Sequence, residues 1–296
     1  MNAAALGKSS RLGALPPEAL FVVSAVSQYV GAAIAVGVFD EVAPRTVAWL
    51  RVLGATIALL AISPGFHRGW NRRELAGAAV FGIATALMNL FFYLAIDRLA
   101  LGSSVAIEFV GPIAVAAATT RTRRNAVAVT VAGVGVLTLG GLEIGDNTTG
   151  LLFIVAASAM WALYIVVGSR VANVRSGVGG LAVGLAIGTV VLTPVGAPGS
   201  GHVWTSAGLL ALCLLTGVFS NAIGYGIDQH VLRRIPVNRF SVLLATLPVT
   251  AVAVGWIALD QRPGPAEWAG IALILGAIAL QERTSVTDAE VVPEPG

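Results

Sequence analysis

Four polar side chains interrupt otherwise apolar stretches of this chain: Gln28, Arg51, Asn89 and Glu108. A helix rises about 1.5 Å per residue, so their distances from the nearest span end convert to depths of roughly 13, 10, 10 and 12 Å. An amide, a guanidinium, a second amide and a carboxylate thus share one layer. That set suits a solute bearing both an ammonium and a carboxylate. Arg51 could fork onto the carboxylate, and Glu108 could face the ammonium. Arg51 and Glu108 could also pair with each other in the empty protein. A charge at membrane depth costs at least ~2.5–3.5 kcal/mol on insertion scales, so such groups face a bundle interior or a wet cavity.

Glu108 stands in Ala106-Ile107-Glu108-Phe109-Val110-Gly111-Pro112. Pro112 has no N–H and clashes with the carbonyl four residues back, which belongs to Glu108. A helix break is expected there, beside the carboxylate. Desolvation raises a carboxyl pKa while a nearby arginine lowers it, so Glu108 is the candidate proton acceptor. The second half is less polar. Asn221 and Tyr225 share a helical face with Asp228 by i, i+4 and i+3 spacing. Asp228 reads either as a cap salt-bridged to Arg233 and Arg234 or as a site residue. Trp161 and Tyr164 fall near the middle of their span, where they could line a cavity or, as aromatics there more often do, simply pack.

Other chemistries lack their residues. No G-x-x-x-x-G-K-[ST] is present, so no ATP-hydrolysing motor is evident. His67, His202 and His230 are scattered, there is no H-E-x-x-H, and no metal site or cofactor is expected. The one cysteine, Cys213, excludes an internal disulfide and reads as a small buried hydrophobe. No catalytic triad can be assembled, so the chain is not read as an enzyme. Transport of a small molecule would then draw on an ion or solute gradient.

The elements that position these residues follow from composition. The chain has 296 residues, 56% hydrophobic and 11% charged. A soluble domain is nearer ~25% charged, so this is an all-α polytopic membrane protein whose main partner is the bilayer. Its pI of about 9.5 is not read as nucleic-acid binding, because basic residues in such a chain set topology. Ten apolar segments are expected: 17–37, 44–63, 74–96, 100–120, 124–142, 150–170, 176–196, 205–230, 236–258 and 265–282. With a cytoplasmic N-terminus, 14 of the 18 Lys and Arg residues fall on the inner side and 3 on the outer. Both termini are therefore expected inside. Residues 1–16 and 284–296 read as disordered tails.

Leu99 to Pro112 can be laid on Ile235 to Pro248, 136 residues later, with both prolines matching. Each half, 17–142 and 150–283, then holds five spans. Five is odd, so the halves enter the membrane in opposite senses. Such inverted repeats place a transporter's site at their interface, often at broken helices. Pro248 is the second expected break. Gly31, Gly54, Gly82, Gly133 and Gly135 fall inside spans and read as close helix contacts.

These residues resemble a known family. Ser27-Gln28 with Gly31-Ala32-Ala33, Leu50-Arg51, Met88 to Tyr93, Leu101-Gly102 and Ile107 to Pro112 are similar to drug/metabolite transporters of the EamA type. Tyr225 to Asp228 and Arg234-Ile235-Pro236 match the second half. The nearest group is the bacterial threonine/homoserine exporters. The resemblance implies ten transmembrane helices as two inverted five-helix EamA repeats in the inner membrane. It also implies proton-coupled export of small amino acids or related metabolites. A multidrug or nucleoside exporter on the same fold is the alternative, and a homodimer stays open. Exporters of this group tend to carry an acidic residue before the second-half proline, where this chain has Leu247.

Overall fold

A computed structural model describes residues 16–62, 69–119, 122–143, 147–171, 177–224, 227, 231 and 246–280. Helix α1 (Pro17–Val36) begins on a proline, whose missing N–H is not needed in a first turn. It is followed by α2 (Pro44–Ile62) and α3 (Arg72–Ile96). A capping box opens α3: Asn71 Oδ1 accepts from the Glu74 N–H at 2.8 Å, and Glu74 Oε2 accepts from the Asn71 N–H at 3.1 Å. Next come α4 (Leu101–Glu108) and α5 (Val110–Thr119), which meet at Phe109. Helices α6 (Arg123–Glu143), α7 (Thr148–Val171) and α8 (Gly177–Gly196) complete the middle of the chain.

The expected span 205–230 is more broken than its apolar run suggested. A short α9 (Gly201–Thr205) gives way to α10 (Ala207–Gly217). Ser206 caps α10, accepting from the Leu209 N–H at 3.4 Å. The helix then widens into a π-helical segment, Val218–Gly224. Helices α11 (Thr246–Leu259) and α12 (Pro265–Leu280) close the described chain. Among the described residues there is no strand.

Among the described residues, six helical stretches are long and apolar enough to cross a membrane, among them Ala207–Gly224, which joins α10 to the π segment. The outward faces agree with that environment. Ile257, Val190 and Leu152 are 86%, 71% and 66% exposed, which suits lipid tails better than water. Half-exposed Trp204, Trp256 and Trp268 cluster around α9 and the α11–α12 turn, as aromatic belts do at the headgroup level.

The helices pack through small residues and hydroxyls. Helix α3 lies along α7 and α8, α2 lies along α8 and α10, and α6 lies along α12. At the α3–α8 crossing, Gly82 meets the backbone of Gly184 so closely that an added Cβ would overlap it. Gly31, Gly54 and Gly135 likewise abut neighbouring helices, but Gly133 has nothing within 4 Å and is no packing site. Between α2 and α8, Thr46 Oγ1 donates to Gly196 O at 2.8 Å and Trp49 Nε1 to Thr189 O at 3.2 Å. Tyr93, Phe21, Phe109 and Leu50 are among the largest fully buried side chains. Cys213 is free and buried.

Candidate functional site

Arg51 is the one arginine among the buried residues described, and 6% of it is exposed. It lies midway along α2, where Gly217 of α10 lets the two backbones come together at the Arg51 carbonyl. That crossing carries the start of the π segment past the guanidinium. Arg51 Nε donates to Asn221 Oδ1 at 2.9 Å. The guanidinium carbon also lies 4.8 Å from the centroid of the Tyr93 ring, within cation–π range. The arginine is thus oriented by both halves of the chain. It is not satisfied by them: Arg51 Nη1 and Asn221 Nδ2 are buried without a hydrogen-bond partner. The Tyr93 hydroxyl lies near Arg51 and Thr216 but makes no hydrogen bond of good geometry.

The π segment is held against α1 by serines. Ser24 Oγ donates to Gly224 O at 2.9 Å, Ser27 Oγ to Phe219 O at 2.8 Å, and Ser220 Oγ to Gln28 O at 2.9 Å. Gln28 Nε2 donates back to Ser24 Oγ at 3.1 Å. A π turn departs from the α-helical ladder, and such turns collect at functional sites. In a membrane, backbone groups that leave the ladder need partners from neighbouring helices. Here the serines of α1 supply them, and the same contact sets the position of Asn221.

Glu108 is the last residue of α4 and is buried. The Phe109 N–H bonds back to Val105 O at 3.2 Å, and Ile113 N to Phe109 O at 3.2 Å. Between them Pro112 offers the Glu108 carbonyl no N–H. The α4–α5 junction therefore falls at this carboxylate. Glu108 feels the charge of Arg51, yet no ion pair joins them among the described residues. Arg51 takes Asn221 instead. One turn before Glu108, the fully buried Ser104 Oγ has no partner either.

The remaining candidates are dispersed. Asn89 is buried on α3, but its Nδ2 is turned onto Thr85 O of its own helix at 2.7 Å. Tyr164 packs on Phe81 with ring centroids 4.5 Å apart, and Trp161 packs edge-on against Phe109 at 4.8 Å. Pro248 is buried near the start of the described part of α11, and residues 241–245 before it, where a break would show, lie outside the described residues. Asp228 and Tyr225 lie outside them too. Leu247 is buried at 6% exposure. Among the described residues no group of three or more metal-capable side chains occurs.

Asn221 and Tyr93 complete the arginine's surroundings, and neither stood among the candidate site residues. A neutral amide and a phenol in apolar runs do not announce themselves as a buried charge does. The available signal for Tyr93 was its position one turn from Asn89 on α3.

Comparison with known proteins bears on the same chain length. The family model described as the EamA-like transporter family matches residues 148–281. The threonine/homoserine exporter RhtA of Escherichia coli (strain K12) is 29% identical over 264 residues, spanning 88% of this chain and 89% of that protein. Its counterpart in Salmonella typhimurium (strain LT2) is 30% identical over 258 residues, spanning 86% of this chain and 87% of that one. A solved crystal structure superposes with a TM-score of 0.60 over 89% of this chain and 96% of its own, at 17% identity, which speaks to the fold alone. With its apolar helices and this extent of likeness, the chain belongs to the EamA-like transporter family.

Proposed function

We propose that this protein is an inner-membrane secondary transporter that exports small amino acids of the threonine/homoserine type, or related metabolites. The observation that carries the proposal is the buried Arg51, held by the two halves of the chain with donors left over. In the proposed site Arg51 takes the solute carboxylate. Glu108 takes the ammonium and, in the return step, a proton. Gln28, Asn89, Tyr164 and Asp228 would contribute the surrounding wall. The likeness to exporters named for threonine and homoserine supports that substrate class.

Alternating access would come from ten spans in two inverted repeats, 17–142 and 150–283, with both termini cytoplasmic. In that count α4 with α5 forms one span, and α10 with the π segment forms another. The packing supports an exchange symmetry between the halves. Helix α1 meets α10 and the π segment much as α7 meets α3. It meets α11 as α7 meets α4 and α5, and α2 meets α10 as α8 meets α3. The family match over 148–281 alone is consistent with one repeat as the unit.

The test is growth of a bacterial host lacking its own threonine/homoserine exporter on inhibitory homoserine. Expression of this chain should raise the tolerated concentration, and Arg51→Met should not. Unchanged tolerance with well-expressed protein would contradict the proposed substrate class.

A further inference from the structure

We infer that Asn221 is the second arm of a carboxylate cradle, so that the solute's acidic group is clasped between Arg51 of the first half and Asn221 of the second. This rests on the export of carboxylate-bearing solutes proposed above and adds a specificity residue to it. The two orphaned nitrogens, Arg51 Nη1 and Asn221 Nδ2, are both buried donors. What is missing is therefore an acceptor. The Nε–Oδ1 bond of 2.9 Å ties the two side chains together, fixing both donors on one bonded unit. Among the described residues no carboxylate lies within ion-pair distance of the guanidinium, which is in electrostatic range of Glu108 but bonded to no anion. A water could accept from both nitrogens but would leave the guanidinium without a bonded anion, and its own protons unanswered. A carboxylate supplies two oxygens for two donors and a negative charge for a positive one.

Two consequences follow for the molecule. Esters, amides and amino alcohols keep the ammonium but lose the anion, so they should bind poorly. A site built around hydrogen-bonding groups rejects analogues that leave those groups unpaired. The cradle also closes only when the π segment sits against α1, because Ser24, Ser27 and Ser220 place that segment. Solute binding is then tied to the contact between the halves.

Asn221→Asp tests the cradle at its donor. The substitution keeps an oxygen for Arg51 Nε and removes the Nδ2 donor, while placing a negative charge where the solute's own carboxylate would lie. The full chain in proteoliposomes would be assayed for counterflow of labelled L-threonine and L-homoserine, with threonine methyl ester as competitor. Monodisperse elution in detergent confirms that each variant folds. The expected result is a rise in apparent KM of about tenfold or more for Asn221→Asp and for Asn221→Ala, with the ester a poor competitor of the wild type. A wild-type KM in a monodisperse Asn221→Asp protein would overturn the cradle and leave Asn221 a tether. Exchange of no carboxylate-bearing solute by the wild type would overturn the export proposal, and the cradle with it.

Discussion

Replacing Arg51 with lysine keeps the positive charge and removes the fork, which makes it the most informative single change in the site. The Nε–H bond to Asn221 Oδ1 at 2.9 Å is lost, and Asn221 is fully buried, so that oxygen is left without a partner. Leaving one such group unsatisfied costs about 1–3 kcal/mol of stability. Lysine's ammonium is a point charge and cannot offer two parallel donors to a carboxylate. Losing one charge-assisted bond of about 1.5–3 kcal/mol should raise the apparent KM roughly 10–100-fold, at about 1.4 kcal/mol per decade. Arg51→Met removes the charge as well. A buried carboxylate without its partner costs about 3–5 kcal/mol, so methionine should fall at least another order of magnitude below lysine. The assay is concentration-dependent counterflow with thermal denaturation in detergent alongside. Lysine equal to wild type would refute the fork, and methionine equal to lysine would refute the role of the charge.

Other outcomes follow from the same geometry. Glu108→Gln should fold and still exchange solute for solute, at a raised KM because the ammonium loses its carboxylate, but lose transport driven by a pH gradient; gradient-driven transport at the wild-type rate would remove Glu108 from the coupling. Gly82→Ala should sharply reduce folded protein, because its Cβ would overlap the Gly184 backbone, which cannot yield as a side chain would. Gly133→Ala has open space around it and should be neutral or stabilising by about 0.5–1 kcal/mol; a fluorescence-detected melting comparison checks both. Ser220→Ala should lower stability by about 1 kcal/mol through its lost bond to Gln28 O and raise the KM modestly by loosening the π segment, read in the same two assays.

The charged part of the site was legible in the sequence because a guanidinium and a carboxylate at membrane depth are costly enough to need a reason. Arg51 and Glu108 stand out for that reason alone. Their relation was not legible: each could face a solute or the other, and depth along a helix says nothing about rotation around it. The structure turns Arg51 onto Asn221, a residue the sequence places on the face of Asp228. The shift into π geometry over Val218–Gly224 changes which face a residue presents, and no 3.6-residue periodicity anticipates it. Asn89 shows the converse. It is buried, but the i−4 carbonyl at Thr85 of its own helix takes its amide. The helices were easier, because the length of an apolar run is a local signal.

The most direct measurement is counterflow by the purified chain in proteoliposomes with a panel of labelled amino acids, wild type and Arg51→Met side by side. Accumulation of threonine, homoserine or a near relative by the wild type, lost in a folded Arg51→Met protein, is the predicted result. Equal accumulation by both proteins, or none of any amino acid by a folded wild type, would contradict it.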